Sequence, residues 1–163
     1  MMRLSERISA LVHETQKERG LTAAFLGGGD DKIREMLDGQ RQNVNQQREA
    51  LDEFLDGWHA KGDLAQAIQD AIAPLEKLAE HRQGVSEKSV SVGEGIGYYT
   101  KFNSGALAII GGVAHASSDP EACMQATSYL NFLQAKERAG IERAVLSNTF
   151  ARGSFGPGIV FKP

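Results

Sequence analysis

The chain is poor in most features that settle a compartment or a partner. It has one cysteine, Cys123, so no internal disulfide can form, and cysteine usage decides no redox compartment. Its longest strongly apolar stretch, Ala106 to Ala114, is far short of the roughly 20 residues that a membrane-spanning helix needs. Met1-Met2-Arg3-Leu4-Ser5-Glu6 is polar from the start, which is unlike a signal peptide. Positive charge is not in excess. The 18 Lys and Arg stand against 21 Asp and Glu, for a net charge of −3, which excludes the electrostatic footprint of a nucleic-acid binder. Strand-like alternation, internal repeats and low-complexity segments are absent from the pattern. The four histidines (13, 59, 81 and 115) show no metal-like spacing with one another or with Cys123. Gly93-x-Gly95-x-Gly97 is no dinucleotide loop, because no strand precedes it and its third glycine comes too early. The acids show no pairing that argues for hydrolysis. No catalytic residue, cofactor or metal is expected.

What is present is helical periodicity. With 163 residues there is enough chain for one domain with a core, and a hydrophobic share of 41% suits elongated helices better than a compact α/β core. A first helix is predicted from Arg3 to Leu26, with Leu4, Ile8, Leu11, Thr15, Glu18, Thr22 and Phe25 in 4-3 spacing. Gly27-Gly28-Gly29 ends it, and Asp30 caps a second helix to about His59. The polar run Gln40 to Glu49 reads as a solvated flank. After the break at Gly57 to Gly62, Asp63 caps a third helix to about Gln83, which Pro74 bends or restarts. Ser91-x-x-Glu94 has capping-box spacing and opens a fourth, glycine-rich helix to about His115. Ser118-Asp119-Pro120-Glu121 starts a fifth, to Arg152, where Gly153 stops it. The predicted class is all-α, an elongated up-and-down bundle of about five helical segments.

Two arginine motifs lie near opposite ends of the chain: Gln16-Lys17-Glu18-Arg19-Gly20 and Gly140-Ile141-Glu142-Arg143-Ala144. Each puts a cation at the margin of an apolar seam, which is costly without a partner. Local partners are not evident. Glu18 and Glu142 are adjacent to the arginines and diverge from them on a helix, Glu14 is five residues away, and Glu137 lacks the i,i±4 relation to Arg143. Two readings stay open. Each arginine pairs with a more distant acid, or bundled helices bring both guanidinium groups to one small planar anion. Two bare cations about 6 Å apart repel by roughly 3 kcal/mol at an effective dielectric near 20, and an anion between them reverses the sign. A planar fork of parallel N–H donors suits two oxygens of such an anion. Thr15, Thr22 and Thr100 either add hydroxyl donors or bond a helix carbonyl. Gly20 and Gly140 either admit close approach or only thin the packing.

Leu11-Val12-His13-Glu14-Thr15-Gln16-Lys17-Glu18-Arg19-Gly20-Leu21-Thr22-Ala23 resembles the opening of the NIT family, the bacterial nitrate- and nitrite-sensing domains. Gln40-Arg41, Tyr98-Tyr99-Thr100, Ala135 to Ala144 (AKERAGIERA) and Phe150-Ala151-Arg152-Gly153 resemble its later elements, in order. The resemblance spans Ser5 to Gly156. It implies one sensor domain over residues 1–156, with 157–163 a truncated tail, and the doubled Met1-Met2 and the closing run suggest a piece of a longer chain. It implies a mostly helical input module, as in membrane chemoreceptors, histidine kinases and nucleotide cyclases, or in soluble antiterminators. It implies that Arg19 and Arg143, with Arg152 a weaker third, grip nitrate. By the receptor analogy we expect a periplasmic domain, a membrane-anchored parent and a homodimer, and from the charge balance no nucleic acid bound by this domain. An antiterminator parent would move it to the cytoplasm. The alternatives are a helical dimerisation module without a small-molecule ligand, or a sensor for another small anion.

Overall fold

Helix α1 (Met2–Leu26) is the axis of the molecule. It packs against α2 (Asp31–Asp56), α5 (Val92–His115) and α6 (Pro120–Arg152). The computed structural model describes residues 2–58, 63–115 and 120–154, and among them there is no strand. The predicted all-α bundle is the observed class.

The helix ends follow local chemistry. Asp30 accepts a hydrogen bond from the Ile33 N–H at 3.1 Å and so caps α2. Ser91 and Glu94 form a reciprocal capping box at the start of α5, at 2.7 and 3.2 Å. Gly153, at φ 65°, ends α6 in the left-handed region that favours glycine. Helix α2 stops at Asp56, earlier than expected, and Trp58 then stacks on Phe54 with ring centroids 5.9 Å apart. The expected third helix is two. Helix α3 (Asp63–Ile72) gives way to a 3₁₀ turn at Ala73–Lys77, and α4 (Leu78–Ser86) follows. Pro74 is the cause, since it lacks the N–H that an uninterrupted helix needs there. His59 and the rest of the break at 59–62, the start signal at Ser118-Asp119 and the tail 157–163 lie outside the described residues.

Apolar side chains form two clusters. The larger joins Leu4, Ile8, Leu11 and Val12 of α1 to Val44 and Leu51 of α2, Ile68 of α3, Phe102 and Ile110 of α5 and Leu133 of α6. Each such side chain, fully buried, contributes about 1.5–3 kcal/mol. The smaller cluster holds Phe25, Leu37 and Val85 near the other end of α1. Two glycines of α5 mark close approaches: a Cβ at Gly111 would stand 3.1 Å from Leu130 Cδ2 of α6, and Gly95 lies against α1. A Cβ at Gly95 would stand 2.9 Å from Leu26 Cδ1 and 3.2 Å from Thr22 Cγ2, so this glycine lets α5 lie tight on α1. The middle of α2 is less solvated than its composition suggests. Gln40 is buried because its amide donates to the Glu14 carbonyl (3.0 Å) and carboxylate (2.6 Å).

Candidate functional site

Between the two apolar clusters α1 turns polar without turning to solvent. Thr15, Gln16, Glu18, Arg19 and Thr22 are each no more than 2% exposed. Successive helical residues point about 100° apart, so Glu18 and Arg19 serve different interfaces.

Arg19 faces α5 and α6. Its Nη1 donates to Thr100 Oγ1 at 3.0 Å and to Glu137 Oε1 at 2.5 Å, and its Nη2 donates to Glu137 Oε2 at 3.2 Å. The carboxylate is held from two further sides, by Gln16 Nε2 at 2.7 Å and Asn103 Nδ2 at 3.2 Å. The Thr15 hydroxyl closes the layer on Asn103 Oδ1 at 2.6 Å. Thr100 also donates to its own helix, to the Ile96 carbonyl at 2.9 Å. Arg19 Nε and Gln16 Oε1 are buried without a hydrogen-bond partner. A guanidinium wholly out of water thus has one counter-charge, which is the condition under which burial of a charge is tolerated.

Gly140 lets this happen. A Cβ there would lie 2.8 Å from Arg19 Nη2, so any side chain would collide with the fork. Gly20 has open space around it and plays no such part. Outside Glu137, a cleft of about 330 Å³ runs between α5 and α6, flanked by Ser104, Leu107, Gln134, Arg138 and Ile141. One water occupies about 30 Å³ of liquid, so the cleft has ample room for a small ion. Glu137, 6% exposed, stands between this cleft and the fully buried Arg19.

Glu18 faces α2, α4 and α5. Arg82 Nε and Nη2 each donate to its carboxylate at 2.7 Å, and the Tyr99 hydroxyl does so at 2.7 Å. Arg41 approaches it to 3.8 Å. Burial and the Glu18 charge hold the Tyr99 phenol well above its ordinary range. Burial works against the Arg82 charge, but the Glu18 bonds outweigh it and raise its pKa. His81 stacks on Tyr98 with centroids 3.9 Å apart, and burial, with Arg41 and Arg82 nearby, lowers its pKa against the pull of Glu18. Burial pushes Tyr98 up to about 12, and its hydroxyl donates to the Pro74 carbonyl at 2.5 Å.

The structure does not bring the two expected arginines together. Arg143 is exposed, and so is Arg152. Among the described residues neither makes a hydrogen bond or ion pair. Arg143 lies six residues beyond Glu137, about 120° around α6, so when Glu137 faces Arg19 it points elsewhere. Its charge instead acts on His13 and Lys136, whose contact is 2.9 Å. Thr100 touches Arg19, Thr15 reaches it through Asn103 and Glu137, and Thr22 lies buried one turn along α1. The residues that sequence spacing missed are Gln16, Asn103 and Glu137. Gln16 is three residues before Arg19 and Asn103 three after Thr100, so each shares a helix face with a residue already singled out. Glu137 meets Arg19 across 118 residues, which no local spacing reports.

The nitrate and nitrite sensing family matches residues 10–160. The chain belongs to the NIT family. Among curated proteins it is similar to the nitrate regulatory protein of Klebsiella oxytoca, at 31% identity over 156 residues, covering 93% of this chain and 39% of that one. Among solved structures it resembles the NasR transcription antiterminator, with a TM-score of 0.86 and 29% identity, over 94% of this chain and 42% of that one. The chain therefore spans about two fifths of the length of each relative. These relatives correct one set of expectations. The expectations of a membrane-anchored parent and of no nucleic acid bound by this domain rest on receptor members and on net charge, yet this NIT chain is similar to a regulatory protein and to a transcription antiterminator. Among the described residues no helix is long and apolar enough to cross a membrane.

Proposed function

We propose that this NIT domain is the nitrate- or nitrite-responsive input module of a longer regulator of transcription, and that Arg19 is the residue that grips the anion. It is a binding module, not a catalytic one. The observation that carries the reading is a guanidinium with no exposure, its charge balanced by a single carboxylate at the base of an open cleft. Such a fork fits the planar, trigonal oxygens of nitrate, and Thr100 supplies a neighbouring hydroxyl. Arg143 stands on the same helix as Glu137, and a small shift of α6, with the long Arg143 side chain swinging inward, brings it toward Arg19 once the anion is bound. Occupancy would then be reported as a displacement of α6 relative to α1. The coupling this asks for, 1–3 kcal/mol, is typical of allosteric proteins. Arg152, about 22 Å further along α6 than Glu137, takes no part. The two gene-regulatory relatives support a cytoplasmic parent over a periplasmic receptor.

An interhelical ion pair such as Arg19–Glu137 also suits a helical module that binds nothing. Thermal denaturation in millimolar nitrate at constant ionic strength, with chloride as control, separates the readings. Nitrate is expected to raise the melting temperature of the wild type and to leave Arg19→Lys, which keeps the charge but loses the fork, unchanged. No nitrate-specific shift in the wild type would leave the bare helical module.

A further inference from the structure

We propose that Glu137 is a built-in stand-in for the ligand: its carboxylate fills the Arg19 fork when no anion is bound, and the anion must evict it. This inference rests on the sensing role proposed above.

The argument begins with shape. A carboxylate is a planar group that offers two oxygens to one fork, and a nitrate or nitrite offers two in the same way. The Glu137 oxygens meet Nη1 and Nη2 of Arg19 side by side, and Gln16 and Asn103 add two amide donors aimed at Oε2. That cradle of donors is built for an anion of this form, and an internal one occupies it.

Charge decides what must follow. The layer holds one cation, Arg19, and one anion, Glu137, both out of water. Adding a second anion beside them leaves a net buried negative charge, which is strongly unfavourable. Eviction keeps the layer neutral, because the incoming anion takes over the counter-charge. Glu137 has somewhere to go, since it borders the cleft between α5 and α6, where Arg138 also lines the wall. Glu137 therefore sets the threshold of the sensor. It weakens binding of every planar oxyanion by the strength of its own grip on Arg19, and it ties ligand entry to movement of α6. A purely structural salt bridge would stabilise the fold and have no competitive relation to the ligand.

Calorimetric titration of nitrate into the wild type and Glu137→Gln tests this. The glutamine keeps an acceptor for Gln16 and Asn103 but removes the competing charge. The expected result is affinity at least tenfold tighter in Glu137→Gln. Equal or weaker affinity beside measurable wild-type binding overturns the stand-in and leaves the sensing role intact. Absence of binding to both proteins defeats the sensing role and the stand-in with it. Glu137→Ala provides a second readout that does not depend on the glutamine variant folding well. Millimolar acetate should raise its melting temperature and compete with nitrate, while leaving the wild type unmoved. Failure of acetate to do either in a folded Glu137→Ala protein counts against the stand-in.

Discussion

Glu18 and Arg19 are neighbours on α1, both are wholly buried, and neither neutralises the other. Glu18 is met by Arg82 from α4, and Arg19 by Glu137 from α6. The angle between consecutive helical side chains sends the two charges into separate interfaces. One dipeptide thus ties α1 to α4 on one side and to α6 on the other. The two pairs differ in what surrounds them. Glu18 has a phenol and a second guanidinium near it as well, and it is sealed. Arg19 has one counter-charge, which stands beside a cleft. The first pair reads as structure and the second as the site that can change partners.

Glu18→Gln is therefore expected to be a stability variant. Removing one partner of a buried pair typically costs 3–5 kcal/mol, and Arg82, whose side chain is 13% exposed, can turn partly to water. A loss of about 3 kcal/mol in urea unfolding is expected. Adding Arg82→Met should recover much of that loss, because the stranded cation is then gone. A double variant no more stable than Glu18→Gln would place the cost elsewhere, in Tyr99 or Arg41.

Gly140→Ala should damage the site more than the fold. The new methyl would begin 2.8 Å from Arg19 Nη2, and a guanidinium pinned by Thr100 and Glu137 has no free path aside. Alanine itself favours the helix by about 1 kcal/mol over glycine, so the two effects on stability oppose each other. The fork, however, can only move out of register. Nitrate affinity is expected to fall about tenfold with the melting temperature changed by a few degrees at most. Gly20→Ala, which meets no atom, serves as the control and should leave affinity unaltered.

Local signals carried the architecture far. Asp30, the Ser91–Glu94 box, Pro74 and Gly153 each act through a few neighbouring residues, and each did so where the pattern placed it. Arg19 was legible as a costly cation on an apolar seam. Its partner was not, because the cross-helix geometry that brings Glu137 to it depends on how α1 and α6 settle against each other. Gly140 stood beside a singled-out motif with two meanings open, and only the distance to Arg19 decides between them. Arg143 shows the limit most clearly. Its motif drew attention to it, yet helical phase turns it away whenever Glu137 faces inward.

His81 should make stability depend on pH. Burial lowers its pKa below the ordinary imidazole value, with Arg41 and Arg82 acting the same way and Glu18 opposing. The unfolded chain then takes the proton more readily than the folded one. The stabilising contribution is full above about pH 6.5 and is lost as pH falls through that value toward the lower folded pKa. His81→Phe keeps a ring to stack on Tyr98 and removes Nε2, which is buried without a partner. Urea unfolding at pH 5, 6, 7 and 8 should show a flatter profile in the variant. Some slope will persist from His13, lowered by burial and by Lys136 and Lys17. An unchanged profile would assign the whole effect to other groups.

Arg143→Ala probes the shift of α6. Arg143 is exposed and sits among like charges, its own charge helping to depress the pKa of Lys136 after burial. Its loss should therefore cost the unliganded protein nothing, within about 0.5 kcal/mol, as for surface substitutions away from special features. If a shift of α6 brings a second guanidinium to the anion, the same variant loses one charge-assisted contact in the bound state, about 1.5–3 kcal/mol, or at least tenfold in nitrate affinity. Equal affinities in wild type and variant would confine the site to Arg19 and its shell. A parallel loss of affinity and of unliganded stability would instead mark Arg143 as structural, which its exposure argues against.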